Sequence, residues 1–261
     1  MRETDATLTR LSAIAAEAGA LAMASWRGVF EQWEKAPGDP VSAVDLAVDA
    51  LLKERLHALD PAAGWLSEET ADNAERLMRS RVWVVDPIDG TRDFVRGRRG
   101  WCVSIALVEG GRAVLGVLDA PARGEHWAAS AGQGATRNAI PLMAGNRTDI
   151  AGARVPADTL PKADIDLVAV EKPNSIALRV AMVAADEADL VATLRWGHEW
   201  DIAAAALIAE EAGAIVTDAK GAQLRYNSTK AEAFGVLAAV SGIHAQATAR
   251  LAQRAASLSL R

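Results

Sequence analysis

The sequence predicts a mixed α/β fold, and three observations predict it. Apolar residues recur at helical spacing over the first sixty positions, short β-branched runs follow, and helical and strand-like segments then alternate without an internal repeat. The chain has 261 residues, 51% of them apolar and 24% charged. That length buries a core without a staple, and that composition belongs to a folded protein rather than a disordered one.

In chain order, residues 8–26 read as an amphipathic helix. The apolar stretch 13–24 is interrupted by Glu17 and preceded by Arg2-Glu3-Thr4-Asp5, which suits neither a signal peptide nor a membrane span. Residues 35–40 read as a loop, by Pro37, Gly38 and Pro40. A second helix follows, with Val44, Val48, Leu51, Leu52 and Leu59 on one stripe. Residues 82–85 are a buried strand by composition, and 102–109 joins 113–118 through Gly110-Gly111 as a hairpin. Residues 138–163 are polar and carry Pro141, Pro156 and Pro161, which sets a boundary between two halves, 1–140 and 141–261. Strands at 166–170 and 189–193 then flank a helix over 175–185. A helix over 202–212 ends at Gly213. Strands at 214–217 and 234–240 precede a closing helix from about residue 243.

The single cysteine, Cys102, stands in an apolar run and has no partner for an intramolecular disulfide; it reads as a buried, inert thiol in a cytoplasmic protein. A net charge of −6 argues against a nucleic-acid polymer as partner. It does not exclude small anions, because a bound cation inverts the local field of an acidic site.

The chemistry concentrates in Asp86-Pro87-Ile88-Asp89-Gly90-Thr91, directly after the strand ending at Val85. Carboxylates at a strand's end sit on a rigid platform. Pro87 fixes the turn, Gly90 lets backbone approach a ligand, and Thr91 caps a following turn whose amides suit a phosphate. By itself Asp-x-x-Asp-Gly is also a common turn former. Here it is joined by Glu68-Glu69 and by Asp201, which the spacing places at the N-cap of the 202–212 helix. Asp45, three residues after Ser42, completes a capping box. Four acidic groups from three segments, with no histidine or cysteine among them, select hard cations such as magnesium, manganese or calcium. Carboxylates on such cations are the usual device of phosphoryl chemistry, which points to hydrolysis of a phosphate ester. A glycosidase with paired carboxylates would work without metal, so EDTA separates the two. A cation-binding relative without catalysis is the reading from a different class.

Three ordered motifs resemble the inositol monophosphatases and their relatives, among them bisphosphate nucleotidases, fructose-1,6-bisphosphatases and histidinol phosphatases. They are Ser67-Glu68-Glu69-Thr70, the run from Trp83 to Thr91, and Trp200-Asp201-Ile202-Ala203-Ala204. The resemblance implies a layered αβαβα sandwich with two or three Mg2+ ions, which Mn2+ would replace. It places Glu68, Asp86 and the Ile88 carbonyl on the first ion, Asp86, Asp89 and Asp201 on the second, and Glu68 with waters on the third. It further implies that Gly90 and Thr91 offer amides to the phosphate, that Thr91 and Asp45 activate water beside Glu68, and that the protein is a homodimer sensitive to lithium. The partner it implies is a small phosphorylated metabolite. Ser42 and Ser67 are mild departures from the pattern, and Lys172-Pro173-Asn174-Ser175 replaces a Gly-Ser pair near the substrate.

For the ester itself, Arg92-Asp93-Phe94, Glu199 and Leu224-Arg225-Tyr226-Asn227 look most like the 3′(2′),5′-bisphosphate nucleotidase branch. Adenosine 3′,5′-bisphosphate is therefore the expected substrate, ahead of inositol 1-phosphate and histidinol phosphate. Arg92, Arg96, Arg98, Arg99, Lys172 and Arg195 are the candidate cations for a second phosphate, and Asp201 would face the substrate. His198 is a candidate substrate contact. Trp83 and Trp101 are expected in the core, Trp196 and Trp200 as walls of the pocket.

Overall fold

The structure, a computed structural model, describes residues 2–36 and 39–258. Helix α1 (Arg2–Ser25) buries Leu11, Ala15, Ala18 and Ala22 at the three- and four-residue spacing of one face. Strands β1 (Gln32–Ala36) and β2 (Asp39–Ser42) form an antiparallel ribbon. The expected loop at 35–40 is thus mostly strand, with Pro40 in a two-stranded ribbon where a missing amide is tolerated. Pro37 and Gly38 lie outside the described residues. Helix α2 (Ala43–Leu59) buries Val44, Val48, Leu52 and Leu56, and the capping box at Ser42 and Asp45 is present.

Strand β3 (Gly64–Ser67) runs parallel to β4 (Arg81–Asp89), and this pairing sets Ser67 beside Val85. β4 is longer than its β-branched run. It continues through Pro87 to Asp89 with a bulge between Asp86 and Asp89, so these residues form a kinked strand end rather than a tight turn. A short helix α3 (Thr91–Val95) follows. Strands β5 (Cys102–Glu109) and β6 (Arg112–Ala120) are the expected hairpin, with Gly110 and Gly111 at positive φ. β7 (Glu125–Ser130), β8 (Ala135–Arg137) and β9 (Ile140–Pro141) complete a seven-stranded sheet in the order β3 to β9, antiparallel except for β3 and β4.

Parallel β10 (Arg154–Pro156) and β11 (Val168–Val170) lead into α4 (Ile176–Ala184), capped by Ser175. Then come β12 (Leu190–Ala192), β13 (Trp196–His198), α5 (Ala203–Glu211) and β14 (Ala214–Thr217). The expected strand over 234–240 is two, β15 (Glu232–Phe234) and β16 (Leu237–Val240), broken at Gly235, whose φ is +70°. Helix α6 (His244–Leu258) closes the described chain. β12, β16 and β14 form a second sheet, and β13 pairs with β15.

The layers run α1 and α2, the seven-stranded sheet, α4 and α5, the three-stranded sheet, then α6. One apolar core lies under α1 and α2, with Trp83 and Trp101 fully inside it. The other spans α4, α5 and both sheets. The alanine run of α5 has a physical reason here: a Cβ at Gly116 of β6 would stand 2.8 Å from the Ala204 carbonyl oxygen. Small side chains on both partners let helix and sheet approach closely. Among the described residues no helix is long and apolar enough to cross a membrane.

Candidate active site

The β3–β4 pairing brings the first two acidic segments together, since the Glu68 amide donates to the Val85 carbonyl at 3.2 Å and so carries Glu68 to the level of Asp86. Asp86 and Asp89, 1% and 7% exposed, occupy the bulged end of β4. An Ile88 amide bond to Asp86 Oδ1, 3.0 Å, holds the first. Asp89 is held from outside its own strand: the Ser175 hydroxyl donates at 2.5 Å and the Ala177 and Ile176 amides at 2.7 and 3.3 Å. The N-terminus of α4 thus fixes a carboxylate of β4. Cys102, opposite Asp89 in the ladder, is fully buried with its sulfur 3.4 Å from the Ser175 hydroxyl, and burial pushes its thiol well up.

Asp201 arrives from the turn before α5. It does not cap the helix; Ile202 is the N-cap, with no side-chain cap. Its carboxyl instead joins the other acids in a cleft of about 450 Å³ lined also by Glu68, Asp86, Ile88, Asp89, Gly90 and Thr91. Arg92, Lys172, Arg179 and Arg195 supply the cations of that cleft. Burial, then Glu68, Asp89 and Asp201 push Asp86 well above the usual carboxylate range. Burial, then Asp89 and Glu68 do the same to Asp201. Asp89 rises to about 6, by burial against the pull of Ser175 and the α4 amides.

Asp45, in the first turn of α2, divides its oxygens. Oδ2 accepts from the Ser42 amide and hydroxyl at 2.9 and 2.5 Å, while Oδ1 stands 3.4 Å from the Thr91 hydroxyl. That hydroxyl also donates to the Ile88 carbonyl at 3.0 Å. Thr91 therefore turns inward rather than capping α3. The N-cap is Gly90, at φ +96°, where a Cβ would meet the Gly100 carbonyl oxygen at 2.6 Å.

The chain holds further site residues that its motifs do not name. Asp49, one turn beyond Asp45, accepts from Ser67 and Thr70 at 2.5 and 2.6 Å and so pins both ends of the Glu68-Glu69 segment. Lys35 reaches from β1 to Glu69 at 2.6 Å and Glu68 at 3.4 Å. Burial, against the Lys35 bond, pushes Glu69 up to about 7. Arg179, the single charge in the apolar α4, donates to the Pro173 and Asn174 carbonyls at 2.7 and 2.5 Å. A lone arginine in such a helix was the sequence signal for it.

Other expected residues lie elsewhere. Arg96, Arg98 and Arg99 line an adjoining cavity with Asp93, Lys172 and Asn174 rather than the cleft itself. Trp196 packs edge-on against Phe234, and Trp200 stacks at 4.2 Å on His198; neither walls the cleft. Arg195 and Gly197, on either side of Trp196, line a small cavity with His198 and Asp201 that the Trp196 ring does not enter. Glu199, fully buried, accepts from the Asn227 and Ser228 amides at 2.6 and 3.0 Å, and Arg76 bonds Asn227 at 2.6 Å. Glu199 and Asn227, two of the residues that look nucleotidase-like, thus hold a turn.

The donors facing the cleft are carboxylate and carbonyl oxygens, the set that hard divalent cations prefer. Among the described residues, no three histidine, cysteine, aspartate or glutamate side chains stand in closed ligand geometry. The acids nonetheless fit such ions: burial raises all three carboxyls, neighbouring carboxylates add to it at Asp86 and Asp201, and an added cation would favour the charged form of each.

Five alternating layers with an oxygen-lined acidic cleft at a strand end define a layered α/β protein equipped for phosphate chemistry. The Inositol monophosphatase family model matches residues 4–259. The Nus factor SuhB of Xylella fastidiosa is 35% identical over 72% of this chain and 72% of its own length. The 3′(2′),5′-bisphosphate nucleotidase CysQ of Escherichia coli K12 is 32% identical over 74% of this chain and 81% of its own. The solved IMPase of Thermotoga maritima superposes with a TM-score of 0.82 at 24% identity, covering 99% of this chain and 100% of that one. This chain belongs to the inositol monophosphatase family, a family of phosphatases.

Proposed function

We propose that this protein hydrolyses a small-molecule phosphate monoester with Mg2+, and that adenosine 3′,5′-bisphosphate is the substrate. The charge of the cleft carries the reading: four carboxylates and four cations line it. Two divalent ions on the carboxylates would leave the walls four charges positive. A single phosphate dianion would answer half of that, and a second phosphate the rest. Inositol 1-phosphate, with one phosphate, stands behind it, and histidinol phosphate after that.

Glu68, Asp86, Asp89, Asp201 and the Ile88 carbonyl would hold two or three ions. Bound there, the ions would supply Lewis acidity toward the phosphate oxygens and a lowered pKa for water. The Thr91 hydroxyl orients the attacking water and Asp45 Oδ1, behind it, accepts the proton. The 3.4 Å between them is a gap of the kind that closes when substrate is bound. Gly90 and Thr91 offer backbone amides to the phosphate, while Arg92 and Lys172 meet the rest of the substrate.

Phosphate release from the three esters, with Mg2+ and with EDTA, tests this. The nucleotide should be preferred and EDTA should abolish release. A tenfold preference for inositol 1-phosphate, about 1.4 kcal/mol, would reverse the ranking, and release undiminished by EDTA would refute the metal site. Binding of Mg2+ without hydrolysis of any ester would mark a non-catalytic relative.

A further inference from the structure

Residues 155–161, α4, β12 and α6 enclose a second cavity of about 350 Å³, within the range of small-molecule pockets. Its walls include Val155, Leu160, Leu167, Leu190, Leu194 and Leu251. The cations around it are Lys172, Arg179, Arg250 and Arg254, against Asp158 and Asp164. Asp164 holds Arg254 at 2.8 and 3.0 Å and Arg250 at 3.3 Å, leaving the surroundings positive on balance.

Lys172 and Arg179 line both this cavity and the carboxylate cleft. The two spaces therefore meet across those side chains. Lys172 is paired at 2.5 Å with the exposed Asp158, on the loop that forms the cavity's outer rim. The cleft offers an apolar body almost nothing, since only Pro40, Ile88 and Ile176 interrupt its polar walls. The neighbouring cavity offers the reverse.

We propose that this cavity receives the apolar body of the substrate's alcohol, a planar group of nucleobase size, while the ester phosphate lies among the carboxylates. Lys172 and Arg179 then face the anionic group between the two. The proposal rests on the phosphatase reading above and adds a specificity site to it, with Leu160 and Leu194 as its determinants.

The test compares wild type with Leu160→Trp, which fills the cavity, and Thr159→Trp, which closes its rim from an exposed position. Thr159 keeps the experiment open should the bulkier change at Leu160 unfold the protein. The two substrates are adenosine 3′,5′-bisphosphate and the same sugar bisphosphate without its base. The ratio of their kcat/KM values should fall at least tenfold in the folded variants, through the KM of the nucleotide. An unchanged ratio overturns the proposal. If wild type hydrolyses neither compound, the nucleotide reading of the substrate fails, and calorimetric titration with adenosine 5′-phosphate decides the cavity alone. Weaker binding to the variants supports it; equal affinity, or no binding to wild type, overturns it.

Discussion

Two regions of this protein bury aspartates almost completely and treat them in opposite ways. Asp189, 2% exposed, receives Arg154 at 2.7 and 3.0 Å, the Arg154 amide at 2.8 Å and Arg147 at 3.1 Å. Burial alone would raise its carboxyl, but the bonds from Arg154 and the charge of Arg147 bring it below the ordinary value. Asp86 is as deeply buried, yet its neighbours are Glu68, Asp89 and Asp201, and it is driven far the other way. A carboxylate buried for stability is answered by the chain's own cations. Where the strongest neighbours of a buried carboxyl are other carboxyls, as at Asp86, repulsion is stored that a bound cation would relieve.

The largest effect should come from the repulsive region. Asp86→Asn should cut phosphate release by at least about a hundredfold, the scale of losing one preorganised electrostatic group, while the metal-free variant melts no lower than wild type. A clear drop in its melting temperature would erase the contrast between the regions. Next, Mg2+ should stabilise wild type by about 2.7 kcal/mol at a hundredfold excess over its Kd, reversed by EDTA and much reduced in Asp86→Asn; calorimetry reads both.

In the paired region Asp189→Asn should cost about 2 kcal/mol at neutral pH, below the full penalty for a broken buried pair because Arg154 and Arg147 are a third exposed. Turnover per folded molecule should be unchanged. The sign of its pH dependence follows from the lowered carboxyl. The pairing contributes fully above the unfolded value near 3.8 and is lost as pH falls through the folded one, so urea midpoints of the two proteins should converge in acid. The smallest effect belongs to Lys35, which reaches Glu69 and Glu68 from β1. Lys35 is 30% exposed and Glu69 3%, and Lys35→Met should cost about 1 kcal/mol, less than Asp189→Asn because it breaks one close pair rather than several bonds. A larger loss would mean that the cleft is closer to the paired type than its buried core indicates.

The sequence made the acids legible because each stands in a short motif next to a strong local signal, a β-branched strand for Asp86 and Asp89 or a helix for Asp45 and Asp201. The same locality hid their supports. Ser175 reads as a helix cap, and only the fold carries its hydroxyl to Asp89. Asp49 reads as one more polar position on α2 until β3 arrives with Ser67. Long β-branched strands were visible, whereas β7 to β9, written in alanine, serine and glycine-flanked pieces, take their pairing from the sheet they extend. Trp196 was misplaced for a simpler reason, since its neighbours and not the ring take the cavity side.

Gly116 makes no contact with the cleft, yet the acids depend on it. Asp201 reaches Asp86 and Asp89 because α5, beginning two residues later, rests its Ala204 backbone directly on that glycine. A methyl group there would have to lift the helix and carry Asp201 with it. For heredity, then, a substitution in the middle of a core strand would reach the cleft through the helix it displaces.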